Sequence, residues 1–123
     1  MTQEEKDLLI KDLCARLPYG VKIELTRWVM NDGMYMNTTL EPKHINQLLN
    51  DEDGDAEIKP YLFPFSSITK EQEDEYQHIT ERWMYDSSYS ISDSIDWLNK
   101  NYFDYRDLIE SGLAIDATGL NIY

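Results

Sequence analysis

Glu75 and His78 stand three residues apart in EQEDEYQHIT, a spacing that lets a carboxylate and an imidazole on one helical turn reach the same metal ion. A carboxylate-bridged metal centre of that kind needs a second such pair and further glutamates on other helices. The chain has two histidines, and the other, His44, has only Glu41 beside it, at a proline. A polar helix face is the simpler reading. The run DEDGDAE (51–57) offers hard oxygen ligands at alternate positions, as a calcium loop does. Its register is wrong for an EF-hand: with Asp51 first, Gly54 is fourth instead of sixth, and the twelfth position, which needs a bidentate glutamate, is Leu62. Five acids in seven residues repel one another too strongly to share a packed element, so the run reads as a solvated loop.

Nucleophilic chemistry finds no better footing. Ser66 and Ser67 lie outside any Gly-x-Ser-x-Gly elbow and have no histidine in a recognisable context; they read as the approach to a helix cap at Thr69. Cys14 sits among Leu9, Ile10, Leu13 and Leu17 and reads as a structural thiol on an apolar stripe, with no neighbour to stabilise a thiolate. The glycines are too scattered for a phosphate loop. No catalytic, cofactor-binding or metal-ligating residue is assigned.

What remains is acidic and aromatic. The formal charge is −13, from 24 acids and 11 bases, and it is uneven: residues 1–40 carry 6 acids and 5 bases, 41–85 carry 11 and 4, and 86–123 carry 7 and 2. Such a field repels phosphate backbones and anionic membranes, which excludes direct nucleic-acid binding. Two aromatic clusters, Tyr61, Phe63 and Phe65, and then Tyr102, Phe103 and Tyr105 beside Arg106, have the composition of interaction hot spots, although core packing explains them as well. The candidate interaction surface is therefore Asp51, Glu52, Asp53, Asp55, Glu57, Glu71, Asp74 and Glu75, with Tyr61, Phe63, Tyr105 and Arg106.

These groups must be positioned by a small fold. At 123 residues, with Leu, Ile, Val and Phe making up 29 of them, the chain reads as a single folded domain, 1–123, with a thin core. A single cysteine forbids an intrachain disulfide and suits a reducing cytoplasm, and neither a leader peptide nor a membrane-spanning run is expected from the pattern. Thr2 and Glu5 form a capping box that starts a helix, which Pro18 and Gly20 end. Val21, Ile23 and Leu25 alternate with polar residues as a strand does, and NDG (31–33) predicts the turn of a β-hairpin over about 21–40. EPKHINQLLN reads as a short helix opened by Pro42, with a third strand as the alternative.

In IKPYLFPFSSIT, Pro60 and Pro64 argue against a central strand and for an extended edge segment, with Tyr61, Phe63 and Phe65 on one side and Leu62 on the other. Thr69 and Gln72 form a second capping box; its helix runs to about Met84 with Tyr76, Ile79 and Trp83 as the seam, and DSSYS breaks it. A shorter helix from Ser92 carries Ile95 and Leu98 and stops at Asn101, and FDYRDLIESG predicts a last helix with Gly112 just past its end. The expected class is α+β: an N-terminal helix, a hairpin within a small open sheet or barrel, and C-terminal helices.

Three blocks, LCARLPYGVK (13–22), IKPYLFPFSSIT (58–69) and DWLNKNYFDYRDLIESGLA (96–114), together a third of the chain, resemble a group of small uncharacterised proteins encoded by gut anaerobic bacteria, their phages and their mobile elements. The resemblance implies a cytoplasmic accessory protein of a mobile-element setting and carries no activity with it. Two departures from that group are Phe63, where it has a basic residue, and Asp107, where it has a glycine. The expected function is a non-enzymatic acidic interaction protein that binds a basic host or element protein by charge mimicry. The alternatives are a structural, homo-oligomeric component of a phage or element, and a small metal-dependent hydrolase using Glu71, Glu75 and His78.

Overall fold

The computed structural model describes residues 2–25, 36–50, 58–85 and 91–123. The order of elements is α1 (Gln3–Arg16), β1 (Lys22–Leu25), β2 (Met36–Thr39), α2 (Pro42–Leu49), β3 (Ile58–Leu62), α3 (Lys70–Tyr85), α4 (Ile91–Lys100) and β4 (Ile115–Asp116). The class is α+β, and the sheet is open, four-stranded and mixed, in the order β2-β1-β3-β4, with no barrel closure. β1 runs antiparallel to both β2 and β3, so β2 and β3 are parallel to each other and α2 makes the crossover between them. The hairpin expected over 21–40 is present as the pairing of Lys22 with Thr39 through Leu25 with Met36; its NDG turn lies outside the described residues.

Local chemistry sets the helix starts. Thr2 accepts the Glu5 amide and Glu5 accepts the Thr2 amide at 2.9 Å, and Thr69 and Gln72 do the same at the head of α3. Pro42 opens α2 at a position whose N–H would have no helical partner anyway. In β3, Ile58 and Leu62 point toward α1 and α2, closing a core with Leu9, Leu13, Ile23, Leu48 and Leu108. The alternate residues, Tyr61 and Phe63, face the other way, as the sequence pattern implies. A second, aromatic core of Trp97, Leu98 and Phe103 receives Tyr76 and Ile79 of α3. The remaining member of the expected seam, Trp83, has a side chain outside the described residues.

Four expectations are corrected. The proline-bearing segment is no edge: β3 lies between β1 and β4. Proline is tolerated there because β4 is two residues long and pairs only with Tyr61 and Leu62, leaving Pro60 a strand partner on one side alone. The last helix does not form. Phe103 makes a parallel bridge with Phe63, Tyr102 and Asp107 take left-handed φ of 62° and 57°, and only a turn remains before Gly112. Gly112 closes that turn and not a helix: Leu113 N–H donates to the Leu108 carbonyl and Gly112 N–H to the Ile109 carbonyl, the bond pair that a glycine C-cap also makes. Cys14 is exposed, not on the buried stripe of α1. Ile95 is 39% exposed; α4 buries Leu98 as expected, with Trp97 in place of Ile95.

Candidate functional site

The buried stripe of α1 is Leu9, Asp12, Leu13 and Arg16, so two of its four residues are charged. Both are wholly removed from solvent, at 0% exposure, and Arg16 Nε donates to Asp12 Oδ2 at 2.9 Å. Arg106 Nη1 reaches the other carboxylate oxygen at 2.6 Å, and Arg16 Nη2 donates to the Phe103 carbonyl at 2.6 Å. Tyr105 packs against both guanidiniums, whose carbons lie 5.2 Å and 4.5 Å from its ring centroid, and its hydroxyl donates to Asn99. Isolated buried charge is prohibitive, and here each ion has a counter-ion and directed hydrogen bonds. The cluster fastens α1 to the segment 103–106. Asp104, also buried, accepts the amides of Arg106, Leu108 and Ile109 and shapes the loop after it.

Tyr105 and Arg106 of the candidate interaction surface are thus committed to this interior contact, and Tyr61 is buried, its hydroxyl 3.4 Å from Glu24 and its carbonyl bonded by the Tyr123 hydroxyl. Asp51, Glu52, Asp53, Asp55 and Glu57 lie outside the described residues. Glu71, Asp74 and Glu75 are exposed on α3. Phe63 is half-buried, against Phe103 and Tyr123.

The aromatic residues form a graded stack. Trp97 and Phe103 lie nearly parallel at 5.6 Å, and Phe103 and Phe65 at 5.7 Å, so Phe103 is the middle of three rings. Trp97 is anchored by its indole N–H, which donates to Glu75 at 2.8 Å, and by Tyr76 at 5.2 Å. The stack emerges at Phe65, which is 41% exposed. Beside it lies a cleft of about 230 Å³, floored by Phe63 and Phe103 and walled by Ser67, Thr69 and Gln72 on one side and the Thr118–Gly119 turn on the other. The walls are polar but largely committed: Ser67 donates to the Pro64 carbonyl, and Thr69 and Gln72 hold each other in the capping box.

Around the axis of α3, at about 100° per residue, Glu71, Asp74, Glu75 and Glu81 fall within an arc of about 120° centred on His78. All five of these side chains are exposed. Lys70 pairs with Asp74 at 3.2 Å, a surface contact that neutralises little of the field. Gln72, Tyr76 and Ile79 occupy the adjoining arc and face the aromatic core and the cleft. On the far side of the fold, His44 is buried and its Nδ1 accepts the Glu41 amide at 2.9 Å. Burial, helped by the Lys43 charge, holds its pKa below the ordinary value against the opposing pull of Glu41.

Among the described residues no group of three or more His, Cys, Asp or Glu side chains could hold a metal ion. Nor is any described helix long and apolar enough to cross a membrane. The ion cluster was missed in the sequence for an identifiable reason: Asp12 and Arg16 are spaced i, i+4 in register with Leu9 and Leu13, which is both a helical ion pair and a continuation of the apolar stripe. Comparison of the chain with protein-family models, with curated proteins and with solved structures finds no match.

Proposed function

We propose that this chain is a non-enzymatic interaction protein that engages a basic protein partner through the acidic arc of α3, imitating the charge spacing of a nucleic-acid strand. One observation carries the reading. Glu71, Asp74, Glu75 and Glu81 are exposed on one side of a helix, and at a rise of about 1.5 Å per residue they span about 15 Å in three intervals, a mean of about 5 Å between charges. A DNA strand presents about one per 3.4 Å. A surface built to receive phosphates would meet a row of carboxylates at a somewhat wider mean interval. The overall charge of −13 adds a long-range field that steers a basic partner toward the protein. The resemblance of the three sequence blocks supports a phage or mobile-element setting, where such a partner would belong to the host or to the element.

The test is calorimetric titration of oligolysine, and of partners captured from host lysate, at two salt concentrations. The expected result is binding that weakens steeply from 50 to 200 mM salt and is lost when Glu71 and Asp74 are both changed to lysine. Binding that ignores salt, or survives that double charge reversal, overturns the reading.

A further inference from the structure

Resting on the charge reading of α3, we infer that the cleft over Phe63 and Phe103 is the anchor site of the same interface, taking one large apolar side chain from a basic peptide segment of the partner. The size of the cleft sets the class of occupant. At about 230 Å³ it falls below the roughly 300 to 1,000 Å³ of small-molecule and cofactor sites, and it suits a single side chain. Its chemistry points the same way. The floor is two aromatic rings, and the hydroxyl of Ser67, the hydroxyl oxygen of Thr69 and the carbonyl of Gln72 already have partners, so a polar ligand finds few free groups to recognise. An apolar side chain needs none.

Charge complementarity makes the partner basic. On the α3 wall, Glu71 and Glu75 lie on the exposed arc beside Gln72, and Glu75 also accepts the Trp97 indole N–H. On the opposite wall, the exposed Asp116 accepts at 2.9 Å the amide of Thr118, which lines the cleft, so a carboxylate lies next to that wall. A peptide that lowers an aromatic or branched residue onto Phe63 therefore has carboxylates on both sides of it, where flanking lysines or arginines would lie. The floor is also fixed in advance: Phe63 N–H donates to the Tyr102 carbonyl at 2.8 Å and Asp104 N–H to the Phe63 carbonyl at 2.9 Å, so little ordering is required on binding.

Two heptapeptides distinguish the inference from the reading beneath it: six lysines around a central tryptophan, and six lysines around a central serine. By calorimetry the tryptophan peptide is expected to bind at least about tenfold more tightly, the factor that about 1.4 kcal/mol gives. Replacing the exposed Thr118 by tryptophan fills the cleft from its wall. Thr118→Trp is expected to erase the tenfold preference, bringing the two peptides to equal affinity. In the unaltered protein, the ring resonances of Phe63 on the cleft floor are expected to move with the tryptophan peptide and not with the serine peptide, which decides the matter even if the variant folds poorly. Equal binding of the two peptides, or shifts confined to α3, overturns the anchor site and leaves the charge reading standing. No binding of either peptide overturns both.

Discussion

Asp12→Ala is the substitution whose consequence follows most directly from the structure. The change deletes the carboxylate that accepts Arg16 Nε at 2.9 Å and Arg106 Nη1 at 2.6 Å. Arg106 is 16% exposed and can turn toward water; Arg16, at 0%, cannot. A guanidinium is then left in the core with one carbonyl as its partner. Removing one member of a buried pair costs about 3 to 5 kcal/mol, most of it the desolvation of the ion left behind. That is a large share of the 5 to 15 kcal/mol that holds a domain of ordinary stability together. At this chain length each kcal/mol is worth about 3 to 5 °C, so Tm is expected to fall by about 10 to 25 °C. Urea unfolding followed by circular dichroism gives the free energy, with Arg106→Ala as a control that leaves the Asp12–Arg16 pair intact and loses only about 1 to 2 kcal/mol. The double variant Asp12→Leu with Arg16→Met removes both charges and is expected to recover most of the loss. If Asp12→Ala costs less than about 1 kcal/mol, or the double variant is no better than the single, the account of a desolvated, mutually dependent pair is wrong.

Leu62→Asp puts a carboxylate at a wholly buried position with no counter-ion, at a cost of several kcal/mol, and is expected to abolish the cooperative thermal transition; an unchanged melt would refute it. His44 makes stability depend on pH. Its folded pKa lies below the unfolded value of about 6.5, so the unfolded chain binds the proton more readily. Its contribution is therefore complete above about pH 6.5 and is lost as pH falls through the lowered folded value; Tm measured from pH 7.5 to 5 should drop more in the parent than in His44→Gln. Gly112→Ala meets no atom within 4 Å but must adopt a φ of +78°, so it is expected to cost about 1 to 2 kcal/mol through backbone strain alone, with Gly112→Asn costing less in the same urea titration.

Features written in a few neighbouring residues were legible in the sequence. The boxes of Thr2 with Glu5 and Thr69 with Gln72 and the proline start of α2 depend on groups at most a few residues apart, and each stands where expected. The stripe of α1 was read about one position away from its true centre, because Cys14 and Ile10 are apolar and Asp12 and Arg16 are not. Long-range pairing decided the rest. Nothing local in FDYRDLIESG forbids a helix; what prevents it is the pairing of Phe103 with Phe63, forty residues earlier, and the Asp104 carboxylate taking amides that a helix would use differently. Pro60 misled for the same reason, since its tolerance depends on where a two-residue strand from the C-terminal segment begins. Of the candidate surface, charge and exposure on α3 could be anticipated from composition. The cleft could not, because Phe63, Thr69 and Thr118 are brought together only by the fold.

Phe103 joins the two parts of the molecule that the sequence kept separate. Its carbonyl takes Arg16 Nη2, its amide donates to Leu98, and its ring is both the centre of the three-ring stack and the floor of the cleft. Apolar residues in place of Asp12 and Arg16 would serve stability about as well, so net stability does not explain the cluster. Position does. An apolar contact between α1 and the 103–106 segment would tolerate sliding, whereas a guanidinium held at once by the Asp12 carboxylate and the Phe103 carbonyl admits one arrangement of the two segments. The charges buried under the fold thereby fix the height and tilt of the Phe103 ring, and under the proposed function the charges left outside on α3 would select the partner whose side chain rests on it.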